Sequence, residues 1–107
     1  MREPTFLILT ALADTPRHGY GILHEVAEVS GGRVSLLTGT LYTALDRLSA
    51  EGLVELDREE TVDGRARRYY RLTASGRTAL TEETARLRQL TTAAERRLAL
   101  APRPRTA

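Results

Sequence analysis

Between Arg65 and Arg71 the chain reads RARRYYR, four arginines and two tyrosines with no acid among them. A guanidinium is permanently charged and presents a planar fork of donors that fits phosphate oxygens two at a time. A local cluster of such groups is the electrostatic footprint of a surface that binds a polyanion, even where the net charge is only +2. Glu59, Glu60 and Asp63 lie just upstream, so a solvated, internally balanced cluster is the competing reading. A second group combines Thr38, Thr40, Thr43 and Arg47 with Tyr42. Hydroxyls donate to bases or phosphates, a threonine methyl can meet the thymine methyl, and arginine can pair with guanine O6 and N7.

Residue types suited to bond-making chemistry are sparse. There is no cysteine, which excludes disulfides, thiolate nucleophiles and thiolate metal sites. His18 and His24 are six residues apart, not the i, i+4 spacing of helical metal ligands, and no acid completes a set. Ser30, Ser35, Ser49 and Ser75 have no nucleophile-elbow or triad pattern around them. Gly31-Gly32 has no lysine after it, so it reads as a helix stop and not as a phosphate loop. The reading is of a protein that is no enzyme and needs no metal or cofactor.

The elements that must position these groups follow from periodicity. Pro4 suits a first helical turn, and the run from Phe6 to Leu12 predicts a helix ending near Ala13, before Asp14-Thr15-Pro16. A second helix opens at His18-Gly19-Tyr20-Gly21, with Ile22, Leu23, Val26 and Val29 on one face. Thr38 suits the N-cap of a third helix, Leu37 a staple before it, and Gly52 its stop. Leu41, Leu45 and Leu48 form this helix's apolar stripe. At 100° per residue Gly39, Thr40, Thr43, Arg47 and Ala50 then face away from the core, with Tyr42 and Asp46 on one flank.

After Leu53 the period changes from 3.6 to 2. Val54, Leu56 and Arg58 alternate with Glu55 and Asp57, and Tyr70 and Leu72 with Tyr69 and Arg71. Asp63-Gly64 between the two runs predicts a tight hairpin, which puts Arg65, Arg67 and Arg68 at its tip. Thr73 suits the N-cap of a last helix over 74–98, in which Glu82 and Arg86 are spaced for an ion pair. Its stripe of Leu80, Leu87, Leu90, Ala94 and Leu98 extends past the three-helix core and would face water unless a second copy covered it.

Three helices followed by a two-stranded ribbon are the order of a winged helix-turn-helix. The expected fold is therefore mainly α with a small β-hairpin, a winged helix-turn-helix plus a C-terminal dimerisation helix. Residues 1–73 make the DNA-binding domain, 74–101 the dimerisation helix and 102–107 a disordered tail, where Pro102 and Pro104 cannot continue a helix. The expected DNA contacts are Thr38, Thr40, Thr43, Arg47, Arg65, Arg67 and Arg68. No apolar run approaches the ~18 residues of a membrane span, and the start of the chain lacks the pattern of a signal peptide. A cytoplasmic protein is expected.

The chain resembles the PadR-like transcriptional regulators from about Phe6 to Leu80. The resemblance rests on HGYGI from His18, on GTLYTALDRL from Gly39 continuing into EGLV at Glu51, and on DGRARRYYRLT from Asp63, followed by Gly76. It implies a homodimer on double-stranded DNA with a palindromic operator, usually a repressor, released by a small-molecule effector or another signal. It also implies that Tyr42 and the hydroxyls around it touch DNA while wing arginines hold the backbone. Against the family pattern, Gly21 and Asp46 stand where acidic and basic residues respectively are frequent, and Thr43 where proline is. With no tryptophan, a pocket built on stacked indoles between subunits is absent. A winged domain that binds only proteins would have no use for RARRYYR.

Overall fold

The computed structural model describes residues 1–102, so all but Pro102 of the expected tail lies outside the described residues. Helix α1 (Glu3–Ala11) begins with Pro4 in its first turn and buries Leu7, Ile8, Leu9 and Ala11. It stops two residues before the expected Ala13. Leu12 turns to φ −100° and ψ 0°, and its N–H bonds the carbonyl of Leu9 in a tighter final turn.

A strand that periodicity did not reveal, β1 (Arg17–His18), comes next. Helix α2 (Gly19–Val29) starts directly after it, capped by His18, whose Nδ1 accepts the N–H of Gly21 at 3.3 Å. Gly31 and Gly32 end the segment with φ of 63° and 80°, a region open to glycine at little cost.

Helix α3 (Thr38–Ala50) corrects the expected cap by one position. Leu37 occupies the N-cap with no side-chain cap bond, and Thr38 is already helical. Leu37 is 77% exposed, so it staples nothing. The far end follows the expectation. The Leu53 N–H reaches the Leu48 carbonyl at 2.9 Å and that of Gly52 the Ser49 carbonyl at 3.0 Å, the paired bonds of a Schellman stop. Leu41, Leu45 and Leu48 are fully buried against Ile8, Leu9, Leu12, Ile22 and Val26.

Strands β2 (Val54–Val62) and β3 (Arg65–Leu72) form the expected hairpin. Asp63 and Gly64 both have positive φ, 52° and 77°, as the two-residue turn of a right-twisted hairpin demands. The expected ribbon of two strands becomes a sheet of three in the order β1-β3-β2, with Arg17 opposite Tyr70 and His18 opposite Tyr69. Simple alternation along β2 also fails. Leu56 pairs with Tyr70 and Arg58 with Tyr69, leaving Asp57 as the extra residue of a bulge, which bends the strand and increases its twist. The Arg58 guanidinium lies 3.9 Å from the centre of the Tyr69 ring.

Helix α4 (Ala74–Leu100) passes Leu98 by two residues and ends within the expected segment 74–101. Thr73 caps it as expected, its hydroxyl accepting the Gly76 N–H at 2.9 Å and donating to the Gly52 carbonyl at 2.6 Å. The anticipated Glu82–Arg86 pair does not form. Arg86 instead holds both oxygens of Glu83 at 2.7 Å. Glu83 is the buried acid of this face, and a carboxylate removed from water needs a counter-charge more than an exposed one does. Arg86 accordingly holds the Glu83 carboxyl at about 2. Leu80 packs on the core of its own domain and Leu87 is half-buried, whereas Leu90, Ala94 and Leu98 are exposed. Among the described residues no helix is long and apolar enough to cross a membrane.

Candidate nucleic-acid interface

The outward face of α3 is divided between two depressions. On the wing side, Tyr42 and Asp46 share a cleft of about 670 Å3 with the start of α2 and with Arg65, Arg67 and Arg68 of β3. On the opposite side, Thr40, Thr43 and Arg47 open into a groove of about 620 Å3 against Arg2, Pro4 and Thr5 of the first helical segment. Thr38 is exposed at the helix start. The structure thus brings Tyr42 together with the wing arginines, and sets the threonines and Arg47 on the far flank of the same helix.

Arg47 is the most constrained of these groups. It is half-exposed, with one guanidinium nitrogen 2.9 Å from the Thr5 hydroxyl and another 3.3 Å from Glu51. Its head is therefore held beside α1 and is not extended straight outward.

The wing sorts its own arginines. Arg71 is tied to Glu55 at 2.9 Å and Asp57 at 3.2 Å, and Arg58 to Asp57 at 2.9 Å and Glu60 at 2.8 Å. Arg68 makes only a long pair with Glu59, 3.8 Å. Arg65 and Arg67 enter no ion pair among the described residues. Of the acids anticipated as balancing the cluster, Glu60 is engaged by Arg58, Glu59 makes the long pair with Arg68, and Asp63 enters no ion pair among the described residues. Arg65 and Arg67 thus stay outside direct ion pairs, with Glu60 facing Arg67 across the ribbon.

Sequence reasoning did not place His18, Gly19 or Tyr20 at the site. The pairing of β1 with β3 brings them there, beside Tyr42 and Arg67. His18 meets Tyr69 edge to face with ring centres 5.4 Å apart, and burial, then the charge of Arg67, lowers its pKa. The HGYGI motif was a signal that this segment mattered, but it did not indicate which neighbours it would acquire. Among the described residues no group of three or more His, Asp or Glu could hold a metal ion.

A three-helix core with an arginine-rich β-ribbon after its third helix defines a winged helix-turn-helix protein. The sequence profile of the transcriptional regulator PadR-like family matches residues 8–82, more than half of the chain, and the protein belongs to that family. Transcriptional regulator Rv3488 of Mycobacterium tuberculosis is 47% identical over 83 residues, which span 78% of this chain and 74% of that one. A PadR family transcriptional regulator from Eggerthella lenta superposes with a TM-score of 0.72 at 26% identity, covering 89% of this chain and 80% of the other. Bacillus subtilis PadR, solved in complex with operator DNA, superposes with a TM-score of 0.71 over 99% of this chain. At 24% identity that match speaks for the fold, and it spans 54% of the Bacillus protein.

Proposed function

We propose that this transcriptional regulator is a sequence-specific repressor that acts in the cytoplasm as a homodimer on a palindromic operator, with release by a small molecule or another signal. The observation that carries the DNA reading is the arrangement of α3 and the wing. Helix α3 exposes small hydroxyl residues on one flank and, through Tyr42 on the other, meets a ribbon whose tip arginines, Arg65 and Arg67, enter no ion pair among the described residues. An α-helix fits a major groove about 12 Å wide, and free guanidiniums beside it suit the flanking phosphates. The Bacillus subtilis relative bound to operator DNA supports the same use of the fold.

Dimerisation rests on α4. Its 27 residues, at about 1.5 Å each, make a rod of about 40 Å, and Leu90 and Leu98 lie uncovered along its outer half. Covering a leucine stabilises by roughly 1.5–3 kcal/mol, and the same helix of a second copy presents the matching stripe.

A mobility-shift titration on the DNA upstream of the protein's own gene tests the proposal. A shifted band that unlabelled fragment removes and unrelated DNA does not is the expected result. The absence of a shift up to micromolar protein would contradict it, and would favour a winged domain that binds protein partners.

A further inference from the structure

Gly19 is the first residue of α2 and is buried, although its φ is not in the left-handed region that favours glycine. Backbone conformation therefore does not require glycine here. Space does. A β-carbon at Gly19 would lie 2.5 Å from the hydroxyl oxygen of Tyr42 and 3.1 Å from its Cζ, closer than non-bonded atoms approach. Tyr42, a residue 43% exposed, thus lays its ring across the bare first turn of α2. From there it lines the cleft between α3 and the wing, together with Arg67.

We infer that Gly19 is a positioning residue for DNA binding: its missing side chain is the seat that holds Tyr42 at the interface. The inference rests on the DNA-binding reading above. The other close-packed glycine shows by contrast why the effect should fall on the site. A β-carbon at Gly76 would strike the backbone carbonyl of Leu53, which cannot move without shifting the chain. At Gly19 the obstacle is the far end of one side chain, which can swing aside. Alanine is also the better helix former, so Gly19→Ala should keep the fold and displace the ring.

The test is a double-mutant cycle on a duplex selected from a random library by the wild-type protein, with full-length Gly19→Ala, Tyr42→Ala and the double variant. If Tyr42 bonds a phosphate or base, each single change weakens binding about tenfold, and the double variant binds no worse than Tyr42→Ala alone. Unfolding midpoints at or above that of the wild type and a shifted Tyr42 ring resonance in DNA-free Gly19→Ala would agree with this. Wild-type affinity in Gly19→Ala, with Tyr42→Ala weakened, overturns the positioning role. So does a Gly19→Ala loss that persists in full in the Tyr42→Ala background, since glycine would then act without the ring. If Tyr42→Ala binds like wild type, the ring is not in the interface and the inference fails at that step. A wild-type protein that selects no duplex overturns the DNA reading itself.

Discussion

Gly76 lies directly against the carbonyl of Leu53, so the first turn of α4 is seated on the residue that closes the stop after α3. Thr73 reinforces the joint, its N–H bonded to the same Leu53 carbonyl at 3.1 Å and its hydroxyl to Gly52. A methyl group at Gly76 has no space to enter without moving backbone. Gly76→Ala should therefore lose about 1–3 kcal/mol of stability, read as a lower urea midpoint. Gly39→Ala, which meets nothing within 4 Å, should lose none. Equal midpoints for the two variants would mean that the joint is looser than described.

The wing separates two kinds of arginine. Replacing Arg65 and Arg67 by alanine should lower the slope of log affinity against log salt by about 0.9 for each phosphate that is no longer neutralised. Arg71→Ala should leave that slope unchanged, because Glu55 and Asp57 already hold Arg71. An Arg71 variant that changes the slope as much as Arg65 and Arg67 do would contradict this division.

Arg47→Ala should relax discrimination at one base position by roughly 1–3 kcal/mol if its guanidinium leaves Thr5 and Glu51 to pair with a base. Affinities across a panel of single-base operator variants read this effect. Identical rankings for mutant and wild type would assign Arg47 to holding α3 against α1 instead.

His18 ties stability to pH. Its Nδ1 accepts the Gly21 N–H, which the protonated ring cannot do, and burial followed by Arg67 lowers its pKa below the usual 6.5. Below about pH 6.5 the unfolded chain binds a proton that the native state resists, so stability should fall as pH drops through that range. His18→Asn keeps a capping acceptor without a titrating ring. Urea midpoints at pH 7.5 and 5.5 should converge more closely in this variant than in the wild type. The same difference in both would remove His18 from the pH response.

Much of this arrangement was legible because its signals are local. The leucine stripe of α3, the Asp63-Gly64 turn and the Thr73 cap each lie within a few residues of the feature they define. What was not legible depends on contacts between distant segments. A two-residue strand such as β1 carries no period, and only its pairing with Tyr69 and Tyr70 makes it a strand. The bulge at Asp57 is set by the partner strand. The contact of Arg47 with Thr5 crosses 42 positions. The helical wheel put Thr40, Thr43 and Arg47 on the outward side of α3, but it could not show that α1 and the wing would divide that face into two flanks.

In the proposed dimer the outer half of α4 forms the interface. Leu80 belongs to the core of its own domain, so truncation near Gly76 would also damage the fold. Leu90→Glu with Leu98→Glu avoids this, since both side chains are exposed. The double variant should retain its helical circular dichroism and run as a monomer by light scattering, where the wild type runs as a dimer. A wild-type mass unchanged by the two substitutions would move the interface elsewhere.

The proposed function depends above all on two copies of α3 reading a symmetric DNA site. Hydroxyl-radical footprinting of the operator selected by the full-length protein shows whether they do. Two protected patches related by a two-fold axis are expected, with centres about one helical turn apart, roughly 10–10.5 base pairs. Protection should weaken in both patches together when Arg65 and Arg67 are replaced. A single unsymmetric patch, or protection spread evenly over any sequence offered, would contradict the symmetric reading.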